Sequence, residues 1–334
     1  MSASPIRSDK WNAAVNAFPE AARPLIDSIR DNRGVLPADS VEKVCTSTGV
    51  DIGTLMMKLL AVAANYAVVP VSHYPVGAVA AGMPVKGWAS LYLGANFELE
   101  NAALSCTVHA EQAATNNAWL SGEAGIQLLA ISAAPCGYCR QFLYELVTAS
   151  QLNILLPFND TFLLPFSVTP LSTLLPQAFG PGDLGVTGGL MSPELGKHVL
   201  RLNSGNPLDP VIAAALAAAQ ASYAPYETPP VAPPATPVNF GYAGVAVVFA
   251  NGVTVAGRNA EDAAYNPSLS PLESALSFAN MTQPQPAALP PVTRCVLVEV
   301  PTFSSQRSAT VAVLESIAPD VQLEYHEARI ISTE

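Results

Sequence analysis

TVHAEQAATNNAWLSGEAGIQLLAISAAPCGYCRQFLYEL, residues 107–146, holds a helix, a strand and a second helix in succession. The first helix is predicted from His109 to about Gly122, the strand is IQLLAIS, and the second helix begins at Cys136. Helices alternating with apolar strands are typical of α/β architecture. If the two helices leave adjacent strands on one side of a sheet, their N-termini can converge on one point.

The two cysteines of this stretch, Cys136 and Cys139, stand three residues apart at a helix start. That spacing places both sulfurs on one helix face, and the helix N-terminus favours thiolates. The pair alone fits either a redox dithiol or two metal ligands. A structural four-cysteine zinc site is disfavoured, because the five cysteines of the chain include no second pair.

His109 and Glu111 favour a catalytic metal site. One imidazole and two thiolates give three protein ligands and leave the fourth zinc position open, which is the catalytic zinc pattern. Glu111 stands two residues after the histidine, where its carboxylate can reach that position and exchange protons with an activated water. A Glu in the first helical turn that serves only the helix dipole is the plainer alternative.

The composition excludes several function classes. The 334 residues carry a net charge of −11 with no basic stripe, which argues against nucleic-acid binding. We find no apolar run long enough to span a membrane and no secretory signal. An odd, dispersed set of cysteines does not indicate a disulfide framework, so a cytoplasmic location is expected.

The order of predicted elements repeats along the chain. Helix, strand, strand, helix, strand, helix, strand runs up to residue 158 and recurs after a Gly- and Pro-rich connector. We therefore predict an internal duplication with four segments. They are a peripheral N-terminal helical segment (1–48), a catalytic domain (49–190), a linker (191–210) and a degenerate second domain (211–334). Proline-rich insertions are predicted at 225–237 and 282–291.

H-x-E followed by P-C-x-x-C is the signature of zinc nucleobase deaminases. The stretches TVHAEQAATNNAWLSGE and PCGYCRQFLYEL closely resemble cytidine deaminase of the two-domain, dimeric type known from bacteria and plants. PVSHYPVGAVA, LYLGANFEL and LLPQAFGPGDL resemble its nucleoside-binding segments. The resemblance implies a three-layer α/β/α fold with a mixed sheet, present twice in one chain.

The resemblance also implies a reaction and its residues. His109, Cys136 and Cys139 would hold Zn²⁺, and Glu111 would carry protons while water replaces the amino group at C4 of cytosine. Substrate contacts would come from five further residues: Asn96 and Glu98 on the 3′-hydroxyl, the Ala110 backbone N–H on the base carbonyl, Tyr74 stacking on the base, and Phe179 closing a pocket.

Two positions depart from the family pattern. Pro75 replaces an Asn, which puts the shape of its loop in doubt, and Ala134 replaces a Thr before the proline–cysteine pair. We expect Cys106 to be a buried thiol and not a fourth ligand. The other histidines, which lie at 73, 198 and 326, are expected on the surface or in loops.

In the second copy, an alignment with a one-residue gap places Glu273 on Glu111 and Pro271 on His109. The stretch PTFSSQ corresponds to PCGYC but contains no cysteine, and Cys295 lies in the preceding strand. Because proline and serines hold no zinc, the second copy is expected to be a metal-free scaffold.

The sequence thus predicts a zinc-dependent hydrolase that converts cytidine and deoxycytidine to uridine and deoxyuridine in pyrimidine salvage. A cytoplasmic homodimer without nucleic-acid or membrane partners is expected. Two alternatives stay open: a deaminase of the same fold for another base or a modified nucleoside, and an inactive nucleoside-binding homologue. Deamination of single-stranded nucleic acid is disfavoured, because it needs a cationic groove.

Overall fold

The computed structural model of the chain describes residues 5–158, 164–193, 198–228, 239–282 and 289–333. The chain divides into two units, each of which is discontinuous in sequence. The first unit contains Met1–Glu98, Thr107–Ala178 and Ser277–Leu289. The second unit contains Leu99–Cys106, Phe179–Leu276 and Pro290–Glu334.

The first unit is built on a six-stranded sheet in the order β1-β3-β2-β4-β5-β6. The pair β4–β5 is parallel and the other neighbours are antiparallel. Its elements are α1 (Pro5–Asn16), α2 (Arg23–Asp27), β1 (Val35–Leu36), α3 (Ala38–Thr48), α4 (Ile52–Ala63), β2 (Gly77–Ala81), β3 (Leu91–Ala95), α5 (Ala110–Leu120), β4 (Leu128–Ile131), α6 (Gly137–Tyr144), β5 (Asn153–Pro157), β6 (Phe166–Pro170) and α7 (Leu171–Leu174).

The second unit is built on a five-stranded sheet in the order β11-β10-β12-β13-β7. Here β12–β13 is the parallel pair. Between α8 and β10 in the sequence, β8 and β9 form a separate two-stranded antiparallel sheet. The elements are β7 (His198–Leu202), α8 (Pro210–Gln220), β8 (Glu227–Thr228), β9 (Asn239–Phe240), β10 (Ala243–Phe249), β11 (Thr254–Arg258), α9 (Pro271–Thr282), β12 (Val292–Glu299), α10 (Arg307–Ile317) and β13 (Leu323–Thr333).

Two glycines show that helices cover both faces of the first sheet. A Cβ atom on Gly77 would lie 2.6 Å from the Leu60 carbonyl oxygen of α4, and one on Gly94 would lie 2.1 Å from the Ala114 nitrogen of α5. Gly94 pairs with Ala78, the neighbour of Gly77 in β2, so the two glycines face opposite sides. The first unit therefore has the expected three layers.

The second unit repeats this arrangement. A Cβ atom on Gly244 would lie 2.2 Å from the Ala219 nitrogen of α8, and one on Gly257 would lie 2.2 Å from the Pro271 carbonyl oxygen of α9. Gly257 pairs with Val245, so these glycines also face opposite sides of their sheet. The same strand order and the same pair of close helix contacts confirm the predicted duplication.

The edge strand beside the last parallel strand differs in origin between the units. In the first unit β6 follows β5 along the chain, whereas in the second unit β7 precedes every other strand of its sheet. Part of the stretch predicted as a linker, 191–210, thus forms strand β7. Residues 194–197 of that stretch and most of the two proline-rich insertions lie outside the described residues. The domain boundaries themselves stay predictions.

The N-terminal segment is not peripheral, and that expectation is wrong. Ile26, Ile29 and Val41 are fully buried in the same apolar cluster as the side chains of α4. β1 also pairs with β3 as an edge strand. The segment needs this position because α4, which is apolar nearly all round, must be covered on its outer face as well as on the sheet side.

Among the described residues, no single helix is long and apolar enough to cross a membrane. The bent pair Ala38–Thr48 and Ile52–Tyr66 reaches the necessary length and composition only when its two helices are taken together.

Candidate active site

His109 is held at the start of α5 by backbone contacts on both sides. It is the N-cap residue in extended conformation, and its N–H donates to Gln112 Oε1 at 3.2 Å. The preceding residue, Val108, exchanges two backbone hydrogen bonds with Phe97. The imidazole therefore leaves the backbone at a fixed point beside the end of β3. The capping glutamine was missed in the sequence, although its position three residues after the N-cap is a known capping signal.

Cys136 and Cys139 meet this imidazole from the start of α6. The Nδ1 atom of His109 lies 3.6 Å from the sulfur of Cys136 and 3.3 Å from that of Cys139, and all three ligand atoms lie within 4.8 Å of one another. A tetrahedral zinc with Zn–S of about 2.3 Å and Zn–N of about 2.0 Å holds nitrogen and sulfur about 3.5 Å apart. The three side chains fit zinc in both geometry and donor chemistry.

The two thiols differ in exposure and in proton affinity. Cys136 is exposed and is the N-cap of α6, whereas Cys139 is fully buried. A hydrogen bond from Cys139 lowers the pKa of the Cys136 thiol to about 5, and the same pairing raises the pKa of Cys139. Thiolates are the ligating form, so a divalent cation held by this pair would release the remaining thiol proton.

Glu111 is a buried carboxyl beside the two cysteines and the histidine. Only 5% of its surface is exposed, and burial raises its pKa, while interactions with His109 and Cys139 act in the opposite direction. A carboxyl whose pKa is raised toward neutrality can accept and return a proton in one catalytic cycle. The arrangement therefore places three side chains that could hold a metal ion beside a carboxyl that could carry protons.

The ring of Tyr138 stacks on His109, with centroids 5.2 Å apart and an interplanar angle of 28°. Tyr138 lies between the two cysteines in sequence, and nothing in the spacing C-G-Y-C indicates this contact. Ala110, the first residue of α5, is buried. Its backbone N–H belongs to the first helical turn, where amide groups lack partners within the helix.

Asn96 follows β3 and holds the loop that enters β2. Its Oδ1 accepts from the Val76 N–H at 2.8 Å, and its Nδ2 donates to the Tyr74 carbonyl at 3.0 Å. The side chain is 8% exposed. Tyr74 is 58% exposed. Pro75 lies between the two residues of this loop that Asn96 binds, Tyr74 and Val76.

Glu98, two residues further, holds the start of this loop. Its Oε2 accepts from the N–H groups of Val71 and Ser72, each at 3.0 Å, and its Oε1 accepts from the Ser72 hydroxyl. The structure thus brings Asn96, Glu98 and Tyr74 together around one loop, 71–76. Ser72 was not singled out in the sequence.

The structure can be compared with the expectations for Cys106 and for the three histidines outside the site. Cys106, in the second unit, is only half-buried, so the expectation of a buried thiol is wrong. Within the described residues it is not among the side chains that converge into a potential metal-binding group. His73 is an exposed loop residue, as expected. His198 lies buried in β7, and His326 lies in β13 with its Nε2 2.8 Å from Glu324, so the surface or loop expectation for these two is wrong.

Phe179 opens the main segment of the second unit, and 48% of its surface is exposed. Its role in closing a pocket stays a prediction.

Two backbone bridges define how the units correspond. Phe97 pairs with Val108 in the first unit, and Ala260 pairs with Leu269 in the second, through the same two hydrogen bonds. Each pair directly precedes the helix that follows. The second-unit loop between the paired residues is two residues shorter, as 261–268 compared with 98–107.

The close glycine contacts give the same correspondence. Gly94 approaches the Ala114 nitrogen and the Ala110 carbonyl, and Gly257 approaches the Ala275 nitrogen and the Pro271 carbonyl. In both contacts, the helix residue of the second unit stands 161 positions after its counterpart in the first unit.

This offset corrects the sequence alignment. Glu273 corresponds to Gln112 and not to Glu111, and Pro271 corresponds to Ala110 and not to His109. Ser270 stands where His109 stands, and its N–H donates to Glu273 Oε2 at 3.2 Å, just as the His109 N–H donates to Gln112. Glu273 is therefore a capping residue, and Leu272 occupies the position of the proposed proton carrier.

The two cysteine positions carry hydroxyls in the second unit. Strand pairing matches Ile131 with Leu297, which aligns Cys136 with Thr302 and Cys139 with Ser305.

The Thr302 hydroxyl donates to the Ser304 carbonyl at 2.8 Å, and the Ser305 hydroxyl donates to Glu299 Oε1 at 2.7 Å. Neutral hydroxyls engaged in local bonds replace the soft ligands that zinc prefers. The metal-free state of this unit stays a prediction.

The carboxyl of Glu273, a partly buried residue, makes stability depend on pH. Burial raises its pKa from 4.5 to about 7. Between these values the unfolded chain has lost a proton that the folded chain retains, so stability falls as pH rises. We expect Glu273→Gln to gain roughly 2 kcal/mol relative to the parent between pH 5 and pH 7.5, measured by urea unfolding of zinc-loaded protein. An unchanged difference at the two pH values would contradict this.

Comparison with known proteins places these features in context. Two protein-family models, both described as the cytidine and deoxycytidylate deaminase zinc-binding region, match residues 52–153 and 171–311. A cytidine deaminase of Aeromonas salmonicida is 37% identical over 91% of this chain and 93% of its own. A cytidine deaminase of Aliivibrio fischeri is 36% identical over 93% of this chain and 96% of its own length. A solved cytidine deaminase of Mycobacterium tuberculosis is 28% identical, covering 39% of this chain and 99% of its own, with a TM-score of 0.32.

Proposed function

The chain belongs to the cytidine and deoxycytidylate deaminase family, and from that premise we propose that His109, Cys136 and Cys139 hold the zinc ion of a cytidine deaminase. The reaction is hydrolytic: cytidine and water give uridine and ammonia. The observation that carries the assignment is the convergence of one imidazole nitrogen and two sulfurs at separations suited to tetrahedral zinc, next to a buried carboxyl.

Zinc, when bound, supplies a water that ionises near neutral pH. Glu111 transfers the protons of the reaction. It delivers one to N3 of cytosine, which makes C4 more electrophilic, and it later carries one to the departing amino group. Its burial and raised pKa support this role, because a carboxyl in contact with bulk water would release its proton too readily at neutral pH.

The base is held by the start of α5 and by the loop before β2. The Ala110 N–H donates to the base carbonyl, as unpaired amides at a helix N-terminus suit an electron-rich oxygen. Tyr74 offers an exposed ring for stacking on the base, and Phe179 closes the pocket in the family pattern. Both aromatic roles rest on the resemblance.

The sugar is held by Asn96 and Glu98 at its 3′-hydroxyl, so deoxycytidine is a substrate as well as cytidine. We expect Asn96→Ala and Glu98→Ala each to raise the KM for cytidine about tenfold or more, because a buried partner of the hydroxyl is lost. Steady-state kinetics on both nucleosides measure this. A parent-like KM in both variants would instead favour a substrate with another base or sugar.

The function is tested by measuring bound zinc and following the ultraviolet absorbance of cytidine and deoxycytidine with the purified full-length chain. We expect about one zinc per chain and loss of both nucleosides. Zinc-loaded protein that leaves both unchanged would overturn the assignment. Deoxycytidylate and a single-stranded oligonucleotide complete the substrate panel, and uracil formation in the oligonucleotide would contradict the nucleoside specificity.

We further propose that the enzyme acts in pyrimidine salvage as a cytoplasmic homodimer. All five cysteines are free, which suits a reducing compartment. The dimer follows from the resemblance, and light scattering after size exclusion tests it. A mass equal to one chain at micromolar concentration would contradict it.

A further inference from the structure

The loop 71–76, which we call the sugar loop, is held by two side chains at four of its six residues. Asn96 binds the carbonyl of Tyr74 and the N–H of Val76. Glu98 binds the N–H groups of Val71 and Ser72. The same two residues are assigned to the substrate's 3′-hydroxyl in the proposed function. Their available lone pairs and their orientation therefore depend on the loop.

Ser72 has a special place in this network, because its hydroxyl connects the two halves of the loop. It donates to Glu98 Oε1, and it accepts from the Tyr74 N–H at 3.0 Å. Its own N–H donates to Glu98 Oε2. One residue thus contacts both carboxylate oxygens and also binds the N–H of Tyr74, the residue whose carbonyl Asn96 binds.

The carboxylate of Glu98 has about four acceptor sites on its two oxygens. Three of them accept from the sugar loop, through the two backbone N–H groups and the Ser72 hydroxyl. One site on Oε1 is left for a substrate hydroxyl. Because Glu98 is 8% exposed, its orientation is set by these bonds and not by water.

The charge of Glu98 is consistent with this arrangement. Burial raises the pKa of its carboxyl, but the hydrogen bonds from Ser72 and Val71 oppose burial, and the net pKa lies below the ordinary value. The group is therefore ionised at neutral pH and acts purely as an acceptor, which suits a hydroxyl donor on the sugar.

We propose that Ser72 is a positioning residue for sugar recognition: its hydroxyl orients the Glu98 carboxylate and the Tyr74 peptide so that one acceptor site meets the substrate's 3′-hydroxyl. This inference rests on the proposed function and adds to it a residue that does not touch the reacting atoms. Ser72 is itself exposed, so its role is local to the loop and not part of the core.

The test compares cytidine with 3′-deoxycytidine, which lacks the one hydroxyl concerned. Ser72→Ala is expected to raise the KM for cytidine about tenfold with kcat within about twofold, because a hydrogen bond to a charged group is lost. The KM for 3′-deoxycytidine is expected to change by less than about twofold. Ser72→Thr, which keeps the hydroxyl, is expected to restore KM for cytidine to within about threefold of the parent.

Two controls separate positioning from general damage. Ser90→Ala removes a hydroxyl that accepts from the Ala38 N–H, away from the sugar loop, and is expected to leave both KM values unchanged. In a Glu98→Ala background, Ser72→Ala is expected to add no further loss, since coupled residues are not additive. Calorimetry with uridine and 3′-deoxyuridine repeats the comparison without turnover.

Equal losses on both substrates, or an unchanged KM for cytidine, would overturn the inference while the parent enzyme still deaminates cytidine. A parent enzyme that does not deaminate cytidine is a different failure, which removes the proposed function itself. If Ser72→Ala is poorly folded, the Ser72→Thr variant decides: a tenfold KM increase despite an intact hydroxyl and normal thermal unfolding also contradicts the inference.

Discussion

Glu111→Gln is expected to retain one zinc per chain and to lose about 10⁴-fold in kcat, at the upper end of what one acid–base group contributes. The amide has nearly the same shape as the carboxyl, so the packing of the buried side chain is preserved. What is lost is the ability to pass a proton to N3 and then to the departing amino group. Zinc analysis, single-turnover absorbance changes and uridine binding together measure this outcome.

The matched control is Glu273→Gln in the second unit. Both carboxyls lie near the start of corresponding helices, Glu111 as a buried residue and Glu273 as a partly buried one, and desolvation raises the pKa of both. Glu273 caps α9 and stands opposite Gln112 in the correspondence, so its substitution is expected to leave kcat within about twofold. Equal losses in the two variants would show that burial of a carboxyl, and not proton transfer at the metal site, explains the effect of Glu111→Gln.

Cys139→Ser is expected to reduce bound zinc below about a tenth of an ion per chain and to lower kcat/KM about 10³-fold or more. Its sulfur is fully buried and lies 3.3 Å from His109 Nδ1, so no water can take over the ligand position without rearrangement. A serine hydroxyl is not deprotonated at neutral pH and is a poor zinc ligand. Adding zinc should not restore activity to this variant, whereas it should restore the chelator-treated parent.

Cys106→Ser provides the comparison for loss of a thiol. This residue lies three positions before His109 in sequence but is not part of the convergent group in the described part of the chain. Its variant is expected to bind a full zinc ion and to keep parent activity. Loss of zinc in Cys106→Ser, or full zinc in Cys139→Ser, would contradict the assigned ligand set.

The convergence of His109, Cys136 and Cys139 could be predicted from sequence because each lies at a helix start and each helix start is marked by a local pattern. The strands β2 to β5 were likewise visible as apolar runs. Contacts between distant loops were not visible. Ser72 and Glu98 are 26 residues apart, and Tyr138 and His109 are 29 apart, so only the folded sheet brings each pair together.

The error in aligning the second unit has a specific cause. Matching Glu273 to Glu111 relied on shared identity and one gap, whereas the loop before α9 is two residues shorter than its counterpart. A single-residue slip around a helix moves a side chain by about 100°, which exchanges the buried position of Glu111 for the capping position of Gln112. The backbone bridges and the glycine contacts fix the register independently of side-chain identity.

That register also specifies how a second metal centre could be engineered in this chain. The positions to exchange are those 161 residues beyond His109 and Glu111, together with the two hydroxyl positions, 302 and 305, that precede α10. The set is Ser270→His, Leu272→Glu, Thr302→Cys and Ser305→Cys. Pro271 and Glu273 have to stay, because one starts the helix and the other caps it. A design that started from the shared glutamate would instead keep Glu273 as the acid and replace Pro271 with histidine, which places the new imidazole one residue, or about 100° around the helix, from the position that corresponds to His109.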